Sequence, residues 1–266
     1  MTVTVAVGQF AAGTDKDANL KRLRELAASA ADRGAQLLVV PENAMFTAPD
    51  PNADLSGDAE TLHGPYARAV ADLARETGMA IVCGMTERLP DDARVSNTLL
   101  AVDRDGGSLG AYRKLHLYDA FGYQESLRVR PADHAAALVF DVGGLRFGAM
   151  TCYDLRFPEM ARSLIDAGAQ VILLPAAWVV GPGKEDHWDT LVRARAIENT
   201  AHVVAAGQTA PRFTGHSMIV DPMGVVVAGA GEEPGVITAT LSAERLDAVR
   251  AKLPSLGHRR FRVTPA

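Results

Sequence analysis

The chain has 266 residues, 48% of them hydrophobic and 22% charged, the balance of an ordinary globular protein. A formal net charge of −5 argues against a nucleic acid or an anionic membrane as partner. The two cysteines, Cys83 and Cys152, show neither CxxC nor zinc-finger spacing, and no apolar run reaches the roughly 18 residues of a membrane span. A reduced, cytoplasmic protein is the simplest expectation.

Met1 to Val7 has no basic segment or cleavage site and reads as a strand ending near Gly8-Gln9-Phe10. From Thr14, read as the N-cap, to Gly34, the residues Leu20, Leu23, Leu26, Ala27 and Ala30 recur at helical spacing. Gln36 to Pro41 is a continuous apolar run, as expected of a strand covered on both faces. Residues 47–63, with Pro49, Pro51, Asn52 and Gly57, read as a surface loop. A helix from Pro65 to Thr77 stops at Gly78, a strand follows from Met79 to Gly84, and a hairpin spans Thr98–Val102 and Ser108–Tyr112.

The second half repeats this order. Gly34-Ala35-Gln36, four aliphatics and Pro41 are echoed by Gly168-Ala169-Gln170, four aliphatics and Pro175. Ile81 to Gly84 is echoed by Val203 to Gly207, after a helix through Trp188, Leu191, Val192, Ala196 and Ile197, and the hairpin is echoed by Ser217 to Val227. These matches predict an α/β fold with an internal pseudo-twofold: a four-layer α-β-β-α sandwich of two facing sheets with helices outside. No Ser/Gly linker divides the halves, so residues 1–266 read as a single domain.

Two polar groups do not follow from the repeat, and a third stands out by its local context. Glu42 follows Pro41 at a strand's C-terminal end, where α/β proteins gather catalytic groups, yet its counterpart is Ala176. Lys114 ends the first hairpin, and its counterpart falls near Gly231. Cys152 lies between the strand Leu145–Met150 and a helix that begins at Pro158, runs through Met160, Ala161, Leu164 and Ile165, and stops at Gly168. Backbone N–H groups and a helix dipole at such a turn favour thiolate and a developing oxyanion. By residue type alone, each group also has an ordinary structural reading: a surface acid, a solvated cation, an inert thiol. Cys83, on a strand, reads as a core thiol.

Pro41-Glu42, then Tyr112-Arg113-Lys114-Leu115-His116-Leu117, then Thr151-Cys152-Tyr153-Asp154-Leu155-Arg156-Phe157-Pro158-Glu159 resembles the nitrilase superfamily of carbon–nitrogen hydrolases. His187-Trp188 with Arg193-Ala194-Arg195-Ala196-Ile197-Glu198-Asn199, and Gly215-His216-Ser217 with Asp221-Pro222-Met223-Gly224, extend the resemblance across the chain. Met223 departs from it, standing where relatives often carry Trp. The resemblance implies a Glu42–Lys114–Cys152 triad, a further glutamate at Glu125, and an oxyanion site at the Tyr153 N–H and Lys114. Cys152 would attack an amide carbonyl to form a thioester, with Glu42 as general base and acid; no metal or cofactor is required.

Tyr123-Gln124-Glu125-Ser126 and the Tyr153 to Phe157 run look most similar to the omega-amidase and deaminated-glutathione amidase branch. The implied substrate is a small carboxylate-bearing amide, hydrolysed to acid and ammonia. Arg156 is expected to grip the substrate carboxylate, or else to pair with Glu159; Tyr123 and Trp178 are candidate pocket walls. His116 is expected to order its loop rather than move protons, and Arg193, Arg195 and Glu198 to form an ion-pair network. N-carbamoyl amino acid hydrolases and nitrilases share the triad, and a non-catalytic binding protein on the same fold is the alternative from another class. The resemblance further implies a homodimer or higher homo-oligomer, with the tail, about 254–266, at the subunit interface.

Overall fold

Val3, Val5 and Val7 point one way from the first strand and Ala6 points the other, and both sides are buried. A strand apolar on both faces needs cover on both. The computed structural model describes residues 1–264, so Pro265 and Ala266, the end of the expected interface tail, lie outside the described residues. It shows how that cover is arranged.

The first half runs β1 (Thr2–Gln9), α1 (Lys16–Asp32), β2 (Leu37–Val39), α2 (Pro65–Thr77), β3 (Ala80–Arg88), β4 (Val95–Val102) and β5 (Ser108–Arg113). A two-stranded ribbon, β6 (Asp119–Ala120) and β7 (Tyr123–Gln124), leads to the second half. That half runs β8 (Leu138–Val142), β9 (Leu145–Ala149), α3 (Pro158–Asp166), β10 (Val171–Ala176), α4 (Lys184–Asn199), β11 (His202–Gly207), β12 (Met218–Val220) and β13 (Val226–Gly229). The chain then returns to the first sheet as β14 (Gly235–Ser242) and ends in α5 (Ala243–Lys252) and a short 3₁₀ turn.

Each sheet has six strands, ordered β14-β1-β2-β3-β4-β5 and β8-β9-β10-β11-β12-β13. In each, strands two to four are parallel and the flanking pairs are antiparallel. Val3, Val5, Val7, Leu37, Val39 and Val82 pack in one cluster with Phe147, Ala149, Leu173 and Val204 of the second sheet. Ala6, Leu38, Ile81 and Cys83 face the opposite way, onto Leu23, Leu26, Val70 and Leu73 of α1 and α2. The layers are therefore helix, sheet, sheet, helix, as the repeat predicts.

The internal symmetry extends to single hydrogen bonds. Gln36 accepts from the Thr4 N–H at 3.2 Å, and its counterpart Gln170 accepts from the Arg146 N–H at 3.0 Å. The backbone of each glutamine bridges its two neighbouring strands, Gln36 to Thr4 and Ala80, Gln170 to Arg146 and His202. Gly84 and Gly207 are also equivalent: a Cβ on Gly84 would lie 2.4 Å from the Asn43 N, and one on Gly207 2.4 Å from the Gly215 O. In both halves a loop crosses so close to a strand that only glycine fits.

Three expectations change. The N-cap of α1 is Asp15 rather than Thr14; its carboxylate accepts from the Asp17 and Ala18 N–H groups and places negative charge at the helix's positive end. The stretch 47–63 is not simply surface, since Ala59 is buried and Pro49 and Leu55 line a cavity. Arg193 stands apart from the expected network: it pairs with Asp189 and donates to the Gly224 carbonyl, while Arg195 pairs with Glu198.

Candidate active site

Three chain segments converge at one end of the facing sheets. Glu42 leaves β2 in a loop where Asn43 has a left-handed φ of 56° and Gly84 permits the close crossing. Lys114 follows the last residue of β5, and Cys152 opens the 3₁₀ turn Cys152–Arg156 after β9. Cys152 itself has φ 45°, a region costly for a side chain and common at sharp nucleophile turns.

That turn is held from several sides. Asp154, fully buried, accepts from the Tyr112 hydroxyl at 2.6 Å, the Thr151 N–H at 2.9 Å and the His116 N–H at 3.2 Å, and its Oδ1 lies 2.7 Å from His116 Nδ1. The hairpin end that carries Lys114 is thereby tied to the nucleophile turn. His116 orders the loop as expected, and it also stacks on Phe157 at 3.7 Å. From α4, Arg195 donates twice to the Leu155 carbonyl, at 3.0 and 2.6 Å.

The polar groups meet in one buried cluster. Lys114 Nζ donates to Glu42 Oε1 at 2.9 Å and to Glu125 at 3.2 and 3.0 Å. Glu42 Oε2 accepts from the Ala177 N–H at 2.7 Å, and Glu125 Oε2 from the Tyr118 N–H at 2.7 Å. Asn97, on β4, bridges both carboxylates with its Nδ2, at 2.7 Å to Glu42 and 3.2 Å to Glu125. Asn97 escaped the sequence reading, because it lies between Ser96 and Thr98, just ahead of the strand read from Thr98.

Electrostatics assigns the resting protons. Burial alone would raise the Glu42 pKa, but the Lys114 ammonium and the hydrogen bonds at its oxygens outweigh burial and hold it below the usual carboxylate range. Burial likewise works against the Lys114 charge, yet Glu125 and Glu42 hold its pKa well above the usual lysine value. Burial first, and the Glu42 charge second, push the Cys152 thiol well up, against the pull of Lys114. The turn was expected to favour thiolate. Instead the resting site pairs a protonated thiol with an ionised glutamate, because burial of the sulfur, and after it the Glu42 charge, outweighs the pull of Lys114.

Above this cluster lies a cavity of about 520 Å³ lined by Glu42, Lys114, Glu125, Cys152, Tyr153, Tyr123 and Trp178, among others. The Tyr153 N–H lies in the first turn of the 3₁₀ helix, where N–H groups point out of the helix.

The Carbon-nitrogen hydrolase family model matches residues 4–251. The chain belongs to the carbon–nitrogen hydrolase family. It is 42% identical over 259 residues to a deaminated glutathione amidase of Escherichia coli O157:H7, covering 97% of each chain. It is similar to the NitFhit protein of C. elegans, with a TM-score of 0.89 and 31% identity over 97% of its length; it spans 65% of that longer chain. It also resembles the amidase of Nesterenkonia sp. AN1, from the nitrilase superfamily, with a TM-score of 0.81, 29% identity, and coverage of 96% of this chain and 97% of that one. A glutamate-to-glutamine mutant of the Nesterenkonia amidase carries acrylamide added to its active-site cysteine.

As a member of this family, the protein is a hydrolase of carbon–nitrogen bonds other than peptide bonds. Its binding-residue expectations fall out unequally. Tyr123 and Trp178 line the cavity; the Tyr123 hydroxyl accepts from Arg128, and the Trp178 indole N–H donates to the Lys184 carbonyl at 2.8 Å. Arg156 is not among the lining residues. Its guanidinium lies 4.9 Å from the Trp178 ring centre and within 3.3 Å of His187 Nδ1, and no ion pair to Glu159 forms. The cation that does line the cavity beside Trp178 is Lys184, which sequence reasoning missed because Lys184-Glu185-Asp186 reads as an ordinary solvated helix start.

Proposed function

We propose that the protein is an amidase that cleaves the C–N bond of a small carboxylate-bearing amide through a thioester on Cys152. The observation that carries this reading is the buried Lys114, hydrogen-bonded to Glu42 and Glu125 at the floor of a cavity that also exposes Cys152. Charge is kept out of water here at considerable cost unless it is paired and used, and no packing role explains why all four groups face one cavity.

In this reading Glu42 takes the thiol proton as the sulfur bonds to the amide carbonyl carbon. The negative charge moves to the carbonyl oxygen, which the Tyr153 N–H and the Lys114 ammonium receive. Glu42 returns the proton to the nitrogen, the C–N bond breaks, and ammonia or an amine departs. Water then gives Glu42 a proton as it attacks the thioester, and that proton restores the thiol when the acid leaves. Lys114 stays charged throughout, with Glu125 fixing its position. Tyr123 and Trp178 form walls for the substrate, and Arg156 contributes through the indole that it contacts.

The relative named deaminated glutathione amidase supports a carboxylate-bearing substrate, and the acrylamide-modified cysteine of the Nesterenkonia amidase supports a nucleophilic thiol here. An unsubstituted ω-amide releases ammonia, whereas the corresponding amide of deaminated glutathione is substituted on nitrogen and releases an amine. We further infer one cytoplasmic domain that works as a homodimer or larger assembly through its C-terminal tail; among the described residues no helix is long and apolar enough to cross a membrane.

A panel of ω-amides, deaminated glutathione, N-carbamoyl amino acids and nitriles tests the reading, scored by release of ammonia or amine. Turnover is expected on the first two, with trapping by hydroxylamine as the hydroxamate. Turnover confined to N-carbamoyl acids or nitriles would assign another reaction of the family, and no turnover on any member would favour a binding role.

A further inference from the structure

Lys184 is a buried cation that forms no ion pair among the described residues. It is 6% exposed and opens α4 after Gly183, whose left-handed φ of 68° turns the chain into the helix. Its Nζ makes one hydrogen bond, donating to the Tyr118 hydroxyl at 3.2 Å. Otherwise it faces rings: the centres of Trp178, Tyr118 and Phe121 lie 4.9, 5.0 and 5.0 Å away. Among the described residues no carboxylate forms an ion pair with it, although Glu185 is its neighbour in sequence. Glu185 acts on the ammonium only through space, without a hydrogen bond, and Arg156, a second cation close by, also lacks a carboxylate partner among the described residues.

The contrast with Lys114 is instructive. Both lysines are buried and both line the same cavity. Lys114 is surrounded by carboxylates and keeps its charge firmly; Lys184 is surrounded by rings, and burial and Arg156 draw its pKa down. Cation–π attraction offsets only part of the cost of taking an ammonium out of water. An anion arriving in the cavity would supply the rest. The buried Trp178 and the half-buried Tyr118 strengthen that attraction by keeping water from part of the ammonium.

We propose that Lys184 is the specificity-determining cation that binds the carboxylate on the acyl part of the substrate, with Trp178 and Tyr118 flanking the pair. This assignment rests on the amidase reading above and deepens it. It makes the substrate class a monoamide of a dicarboxylic acid. Because the acyl part stays bound through both half-reactions, Lys184 would hold it during thioester formation and during hydrolysis. The wall itself does not depend on the side chain, since Trp178 is fixed by the Lys184 carbonyl. A change of side chain therefore removes the charge and leaves the indole anchored.

The test compares glutaramate, which ends in a carboxylate, with pentanamide, a neutral amide of equal chain length. The wild-type ratio of kcat/KM for the two should favour glutaramate strongly. Lys184→Met should collapse that ratio by about 30-fold or more, chiefly through KM, as expected on removing one partner of a shielded charge pair. Lys184→Arg should keep most of it. A preference that survives in Lys184→Met would overturn the assignment. So would a preference that collapses in Arg156→Met and not in Lys184→Met, which would make the arginine the clamp. Calorimetric binding of glutarate to Cys152→Ala protein separates this proposal from the amidase reading. Binding weakened about 30-fold or more by added Lys184→Met supports the carboxylate site even if neither amide is turned over. Equal glutarate binding with Lys or Met overturns it even if the amidase reading stands.

Discussion

At Glu42 the decisive feature is the number of donors. Lys114, Asn97 and the Ala177 N–H all bond a carboxylate that burial alone would neutralise. The pKa is therefore held below the ordinary glutamate value of 4.5, and the base is ionised throughout the neutral range. The sign follows directly: activity lost by protonating Glu42 should be lost only below pH 4.5, with a plateau above it. We expect the acid limb of kcat/KM there, measured with circular dichroism at each pH to exclude unfolding. Glu42→Gln should lower kcat by about 10²-fold or more while the melting temperature holds, because shape persists and proton transfer does not. An acid limb centred near pH 6 or 7, or a Gln variant within tenfold of wild type, would remove Glu42 from the role of base. The thiols differ in the same physical terms. Cys83 faces α1 and α2, away from the cavity, and burial pushes its pKa up to about 12. Cys152 is also raised, but it has a base beside it.

At the scale of elements, the loop after β2 is positioned by what is missing from β3. Gly84 has no Cβ, and any Cβ there would lie 2.4 Å from the Asn43 N and 2.8 Å from the Glu42 backbone. Gly84→Ala should therefore push Glu42 off its hydrogen bonds to Lys114 and Asn97. We expect kcat to fall by about 10²-fold, the order of loss that follows a misplacement near 1 Å. Gly57→Ala is the control, since nothing lies within 4 Å of a Cβ there. Steady-state kinetics and thermal melts on both variants check this; equal activity in the two would contradict the close-crossing argument. Elements also show where sequence reading reached and where it stopped. Pro65 and Gly78 bound α2 as read, because helix ends carry local signals. β14 was not read at all. It pairs with β1 from the far end of the chain, and Thr238 and Thr240 break up the apolar run that marked the other strands. Asn97 is a related case: the polar run Ser96-Asn97-Thr98 looks like the approach to a strand until the fold extends β4 back to Val95 and brings two glutamates to the amide.

For the whole molecule, duplication supplies the scaffold and its exceptions supply the chemistry. Gln36 and Gln170, and Gly84 and Gly207, do equivalent work in the two halves. Glu42 and Lys114 have no such equivalents, and this asymmetry set them apart in the sequence, whereas Cys152 stood out by its place between a strand and a helix. Glu125 was legible only through resemblance, and its place follows from the 3₁₀ turn after β7, which delivers it to Lys114. Lys184 was hidden because its sequence neighbours are acidic and two of its three rings come from a distant stretch of chain, Tyr118 to Phe121. The proposed chemistry turns on one bond, the thioester between Cys152 and the acyl group. Acid quenching during turnover of a saturating ω-amide, followed by peptide mass mapping, reads it directly. The account predicts an acyl mass increment on the peptide that contains Cys152 and none on the peptide that contains Cys83; turnover with an unmodified Cys152 peptide and the acyl group on Cys83 would contradict it.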